Sequence, residues 1–116
     1  MQTEATPRVR RARRGPADHL RNALVALGGD HPIVAAHTER AWASITFEGT
    51  RHAVRLVFEG REAVEAGEDF IAVLPDHEFA IPGQLVADAT IAAVEQTMLP
   101  GPRMLVDCEV LLLVDA

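Results

Sequence analysis

Two short segments of the chain combine histidine with carboxylates, the side chains that bind metal ions or exchange protons. One holds Asp30 and His31, and the other holds Asp76, His77 and Glu78. Such a set can act as general acid and base or supply metal ligands. The alternative is turn chemistry, because Asp accepts backbone N–H bonds where a helix has just ended. Without a zinc-type spacing such as His-Glu-x-x-His, the sequence favours the turn interpretation and predicts no metal and no cofactor.

Single nucleophilic side chains give no stronger indication of an enzyme. Cys108 lies within a run of alternating apolar residues, which predicts a buried thiol instead of a reactive one. Ser44 lacks the glycine-flanked elbow of a serine hydrolase. The chain also lacks a phosphate-binding loop and a dinucleotide glycine pattern. These observations favour a non-enzymatic protein.

The start of the chain is strongly basic. Residues 1–15 have few apolar side chains, so they are predicted to form a disordered basic arm. Its arginines are candidates for phosphate contact with nucleic acid: Arg8, Arg10, Arg11, Arg13 and Arg14. Against this stand a net charge of −6, the absence of Lys and the near absence of aromatic residues for base stacking. A solvated tail, or an arm docked on an acidic protein surface, is the alternative.

Apolar periodicity predicts the order helix, strand, strand, helix, strand, strand. Helical spacing follows Pro16 and returns over residues 61–74. Two-residue alternation over 39–58, broken at 48–50, predicts a hairpin. A second hairpin is predicted over 85–114, where β-branched residues favour a strand over the rival helix. This order predicts an α+β fold, a two-layer α/β sandwich with two helices on one face of a four-stranded antiparallel sheet.

The length of 116 residues and an apolar content of 48% predict one globular domain over residues 16–116. The same αββ order occurs twice, so residues 16–60 and 61–116 are possible half-repeats. Sliding the sequence by 46 residues aligns 25–45 with 71–91 and superposes the two Asp-His pairs. An internal duplication would relate the halves by a pseudo-twofold axis.

The second face of the predicted sheet is also apolar. If the helices cover the side of Ile45, Leu56, Ile91 and Val110, the other side carries Trp42, Val57, Val86, Ala92, Val94, Leu105, Leu111 and Leu113. An apolar sheet face on a monomer indicates a partner surface. The predicted partner is a second copy in a sheet-to-sheet homodimer. Coverage by the arm or by loop 28–38 is the alternative.

Three functional hypotheses follow, and no family resemblance supports any of them. The leading one is a non-enzymatic oligomeric interaction or assembly module. The second is a small-molecule or metal-binding protein, or an enzyme, with its site near the Asp-His turns. The third is a nucleic-acid-associated protein that uses the arginine arm. A single Cys and the lack of an apolar segment long enough to span a bilayer predict a cytoplasmic protein without membrane contact.

Overall fold

The computed structural model describes residues 15–115, so the predicted arm, except Gly15, lies outside the described residues. The elements in chain order are helix α1 (Pro16–Leu27), strand β1 (Ile33–Ala43), strand β2 (Glu48–Glu59), helix α2 (Arg61–Val73), a short 3-10 turn (Leu74–Asp76), strand β3 (Gln84–Thr97) and strand β4 (Arg103–Val114). No helix among these is long and apolar enough to cross a membrane.

The four strands form one antiparallel sheet in the order β1-β2-β4-β3. Both helices pack on the same face, so the predicted α+β sandwich and its element order are confirmed. The two central strands, β2 and β4, carry most of the core because they have neighbours on both sides and helices above. The face beneath the helices is called the helix side below, and the opposite face is called the open face.

The core lies between the helices and the central strands. Alternate residues of β2 and β4 are buried on the helix side, as their two-residue period predicts: Val54, Leu56, Phe58, Met104, Val106, Cys108, Val110 and Leu112. Leu20 and Leu24 of α1 and Phe70 of α2 pack on them and are fully buried. Each such Leu or Phe contributes about 1.5–3 kcal/mol of hydrophobic free energy. The helices are therefore held by one apolar stripe each.

Gly67 allows α2 to lie close to the sheet. A Cβ atom at this position would be 2.9 Å from the Met104 sulfur and 3.0 Å from the Phe58 ring. The absence of a side chain lets the helix backbone rest on these two residues. Because glycine lowers helix propensity by about 1 kcal/mol, the close approach gives a physical reason for its presence.

The first hairpin differs from the prediction. Strand β1 begins at Ile33, and the chain turns at Ser44–Phe47, not at 48–50. The Ser44 N–H donates to the Phe47 carbonyl at 2.7 Å, and the Phe47 N–H donates to Ser44 Oγ at 3.1 Å. Ile45, which was expected under the helices, therefore lies at the tip of the turn and is fully exposed.

Strand β3 contains two irregularities that change which face its residues occupy. Ala87 and Ala92 have no partner in the β3–β4 ladder, so the alternation shifts at each of them. Val86 consequently pairs with Leu112 and Val94 with Val106, both on the helix side. The expectation that Val86 and Val94 lie on the opposite face was wrong, because each bulge reverses the phase between the residues before it and the residues after it.

The sheet order has the symmetry that a duplication of an αββ unit would give, with β1 and β3 at the edges and β2 and β4 at the centre. An offset of 46 residues superposes the two helices in sequence, but it does not extend to the strands. Ile45 lies in a turn, whereas its aligned counterpart Ile91 pairs with Cys108 in the middle of β3. The duplication stays a prediction.

Candidate functional site

The two Asp-His segments form turns at the ends of the helices. Asp30 has a φ of 64° and its N–H donates to the Val25 carbonyl at 2.9 Å, which closes α1. Asp76 lies instead in the 3-10 turn, and the His77 N–H donates to the Leu74 carbonyl at 3.2 Å. Asp30, Asp76 and their neighbours His31, His77 and Glu78 are all exposed. Their backbone hydrogen bonds account for both segments as turns.

The single nucleophiles lie in settings that do not activate them. Cys108 is buried, with its Sγ 3.6 Å from the Val54 carbonyl oxygen, and burial raises the pKa of its thiol to about 12. Ser44 is exposed, and its hydroxyl belongs to the β1–β2 turn. The arginines proposed for phosphate contact lie outside the described residues.

A group of histidines and charged residues lies at the β1–β2 edge of the helix side. Strand alternation places His37 and Glu39 on this side of β1, and the ladder register places His52 of β2 directly opposite Glu39. Helix α1 passes over this edge and contributes Arg21 and Asp18. These five residues are called the histidine cluster below. His52 is the one buried polar or charged residue in the described chain, with 2% of its surface exposed.

Hydrogen bonds link the members of the cluster into a chain in which the donors start at Arg21. Arg21 donates to the Asp18 carboxylate and, at 2.8 Å, to Nδ1 of His37. Nε2 of His37 lies 2.8 Å from Nδ1 of His52. Because a guanidinium can only donate, Nδ1 of a neutral His37 must accept, so its proton is on Nε2 and is donated to His52. His52 in turn carries its proton on Nε2.

This arrangement favours the neutral form of both rings. Burial lowers the pKa of His37 and of His52 below the ordinary value, and the positive charge of Arg21 lowers both further. The carboxylate of Glu39 acts in the opposite sense on each ring but does not overcome the burial. A ligand atom from each of His37, Glu39 and His52 lies within 4.8 Å of the others, so the cluster brings together three groups able to hold a metal ion.

This cluster was not predicted from the sequence, although part of its signal is visible there. His37 and Glu39 alternate in a strand, which is a sequence pattern for two polar groups on one face. The third member, His52, could be added only with the correct hairpin register. The misplaced turn hid that relationship.

The open face is organised as five rows that cross all four strands. From one end of the sheet to the other, the rows read Ile33–Val57–Leu105–Glu95, Ala36–Arg55–Asp107–Ala93, Thr38–Ala53–Glu109–Thr90, Arg40–Arg51–Leu111–Asp88 and Trp42–Gly49–Leu113–Leu85. The two outer rows are mainly apolar, and the three inner rows carry charged residues. The open face is therefore less uniformly apolar than the sequence suggested.

Charge is divided between the two halves of the open face. Within the five rows the basic residues, Arg40, Arg51 and Arg55, lie on β1 and β2. The acidic residues of these rows lie on β4 and β3: Asp107, Glu109, Asp88 and Glu95. Beyond the rows this order is reversed, since Glu59 of β2 pairs with Arg103 of β4 at 3.7 Å. Two ion pairs join the halves at the centre, Arg55 with Asp107 at 2.8 Å and Arg51 with Glu109 at 3.9 Å. The hydrogen bond from Arg55 lowers the pKa of the Asp107 carboxyl.

The apolar residues predicted for an interface have different exposures. Trp42, Val57 and Leu105 lie on the open face and are half-buried. Leu111 and Leu113 share that face but are only 6% and 8% exposed, so they offer little area to a partner. Leu85 also lies on the open face and is 50% exposed. Comparison of the chain with known protein families, characterised proteins and solved structures finds no match.

Proposed function

We propose that the protein is a non-enzymatic interaction module that forms a homodimer through the open face of its sheet. The observation that carries this proposal is the charge division of the five rows of that face, basic on β1 and β2 and acidic on β4 and β3. Apolar rows border the charged centre at both ends. A surface of this kind is complementary to a second copy of itself.

The charge division selects one orientation of the second copy. A twofold axis parallel to the strands places the β1–β2 half of one copy over the β4–β3 half of the other. A twofold axis perpendicular to the strands, within the interface plane, would oppose like charges. The parallel axis also keeps each row opposite the same row of the partner. Aligned packing of two sheets is a common arrangement, with strand directions within about 30°.

In this orientation Arg40, Trp42 and the Arg55–Asp107 pair face matching residues, whereas Arg51 faces Leu111 and Ala53 faces Glu109 of the second copy. Arg40 faces Asp88 of the second copy, so a cation meets an anion. Trp42 faces Leu85 of the second copy, so an indole meets an aliphatic side chain that is half exposed in one chain. The Arg55–Asp107 pairs of the two copies stack in opposite directions, which places each guanidinium over the other copy's carboxylate.

The size of the open face fits a stable interface. Four strands of about 12 residues, spaced about 4.8 Å apart with a rise of about 3.4 Å per residue, present roughly 750 Å². A standard protein–protein interface buries about 800 Å² on each partner. The mixed composition, with apolar ends and paired charges, is typical of non-obligate interfaces.

Two further points belong to the proposal. The acidic half of the open face weighs against nucleic acid as the partner, because phosphates would be repelled there. We also propose the cytoplasm as the compartment, since Cys108 is the only cysteine and is buried as a free thiol.

Multi-angle light scattering of the full chain after size exclusion tests the proposal. We expect the mass of two chains at tens of micromolar protein, and a shift toward one chain at high salt because the facing charges are screened. Leu85→Asp should give monomer, since it places a carboxylate against the partner's Trp42. Val73→Asp is the matched control, because Val73 is exposed to a similar degree (43%) on α2 and should leave the dimer intact. A wild-type monomer at high micromolar concentration would overturn the proposal.

A further inference from the structure

We propose that His37, Glu39 and His52 form a binding site for a divalent transition-metal ion of the zinc, cobalt or nickel type. The site lies on the helix side of the β1–β2 edge, so it is separate from the proposed dimer interface on the open face. Strand geometry brings the three ligands together. His37 and Glu39 point the same way from β1, and His52 is the ladder partner of Glu39.

The donor atoms determine the class of metal. Two imidazole nitrogens and one carboxylate oxygen suit zinc and neighbouring transition metals, whereas calcium and magnesium require mainly oxygen ligands. Three protein ligands leave a fourth position for water or another small ligand. Glu39 is exposed and His37 is half-buried, so the ion can enter from the sheet edge without unfolding the core.

The two imidazoles require only a small separation to bind one metal ion. The two facing ring nitrogens of His37 and His52 are 2.8 Å apart because they share a hydrogen bond. Two nitrogens bound to one tetrahedral zinc at about 2.0–2.1 Å would lie roughly 3.4 Å apart. The rings therefore have to separate by about half an ångström, which side-chain rotation on an edge strand can supply.

Metal binding also requires a proton to move within His37. Its Nε2 is the nitrogen that faces His52, so the proton on Nε2 must shift to Nδ1 to free the lone pair. Nδ1 then becomes a donor and can no longer accept from Arg21. If Arg21 moved aside, the Asp18 carboxylate, which now accepts from Arg21, could accept from Nδ1 instead, and a carboxylate behind a metal-bound histidine is a common support. Arg21 therefore favours the tautomer of His37 whose Nε2 carries the proton and cannot bind the metal, so it opposes metal binding.

The second hairpin shows that the architecture does not require these polar residues. His37 pairs with Val54, and at the same place in the other half Ile91 pairs with Cys108. The next pair on the same face is Glu39 with His52 in the first half. In the second half the corresponding pair is Val94 with Val106. The same positions are thus filled by apolar side chains in one half and by ligand-type side chains in the other. A buried histidine in an apolar core needs a reason beyond packing.

Calorimetric titration of the metal-free full chain with Zn²⁺, and visible absorption with Co²⁺, test the site. We expect one equivalent bound per chain and a Co²⁺ spectrum of low coordination number. Glu39→Gln should weaken binding about tenfold or more, and His37→Gln should weaken it further, because each removes a ligand. Arg21→Leu should strengthen binding several-fold, because it removes the competing donor.

The exposed histidines provide matched controls. His31→Ala and His77→Ala remove imidazoles outside the cluster and should leave the stoichiometry and affinity unchanged. Thermal melting in the presence of a chelator should show that each variant is folded before titration. The site is refuted if the folded wild-type chain binds neither metal, or if Glu39→Gln and His37→Gln bind as the wild type does. Loss of binding only in His31→Ala or His77→Ala would assign the metal to the turns instead.

Discussion

Arg40 and Arg51 lie directly opposite each other in the β1–β2 ladder on the open face. Like charges at facing positions of adjacent strands are unfavourable, typically by some tenths of a kcal/mol. Arg51 is offset by Glu109 on β4, whereas Arg40 lies on the edge strand β1. An acidic group supplied from outside the sheet would relieve this repulsion. In the proposed dimer that group is Asp88 of the second copy.

The close packing of α2 on the sheet predicts the effect of adding a side chain at Gly67. Gly67→Ala should destabilise the fold by about 1–2 kcal/mol, because overpacking against Phe58 outweighs the gain in helix propensity. Urea unfolding at neutral pH measures this change. Gly101→Ala is the control, because its Cβ would meet nothing within 4 Å, and it should change stability by less than about 0.5 kcal/mol. An unchanged or higher midpoint for Gly67→Ala would contradict the described packing.

Burial of Cys108 predicts a chemically inert thiol. Its pKa of about 12 means that almost no thiolate is present at pH 8, and its side chain has no exposed surface. Thiol-reactive reagents should therefore modify the native chain at least a hundredfold more slowly than the urea-unfolded chain. Mass spectrometry of timed samples gives both rates. Rapid modification of the native chain would show that β4 is not buried as described.

The histidine cluster predicts that stability falls in mild acid. The folded pKa values of His37 and His52 are lowered, so the unfolded chain binds protons more readily than the folded chain below the ordinary value of 6.5. Stability is then fully present above about pH 6.5 and is lost progressively as the pH falls below this value. Urea midpoints measured between pH 8 and 5 with a chelator should follow this course.

A pair of variants separates this effect from general acid sensitivity. His37→Gln should reduce the loss of stability between pH 6.5 and 5, because one of the two suppressed protonation sites is gone. His31→Asn removes an exposed histidine and should leave the wild-type pH dependence intact. If His37→Gln and the wild type lose stability in parallel, the cluster does not control the acid response.

The element order and the buried face of β4 could be predicted because they depend on local periodicity. The unbroken apolar alternation from Met104 to Leu112 identifies the face of β4 that lies beneath the helices. The first hairpin could not be placed because residues 48–50 have a turn composition while the real turn lacks glycine. A turn centred on Gly49 would put Glu39 opposite Glu59, so the Glu39–His52 contact was hidden.

The bulges of β3 could not be predicted for a related reason. Ala87 and Ala92 sit in an alanine-rich strand where neither side-chain size nor polarity distinguishes the two faces. A phase change there leaves no mark in the sequence, yet it transfers Val86 and Val94 to the helix side and Leu85 to the open face. Register is set by pairing with β4, which is a tertiary property.

Sedimentation equilibrium with reversed charges tests the proposed dimer most directly. Arg40→Glu alone puts two carboxylate–carboxylate contacts into each homodimer, and Asp88→Arg alone puts in two guanidinium–guanidinium contacts. Each single variant should therefore dimerise about tenfold or more weakly than the wild type. In a mixed dimer of the two variants, both facing pairs again have opposite charge.

We predict that an equimolar mixture of Arg40→Glu and Asp88→Arg sediments as a dimer at low salt, at a concentration where each variant alone sediments as a monomer. Retention of the dimer in both single variants, or a mixture that stays as monomeric as its components, would contradict the proposed face-to-face dimer.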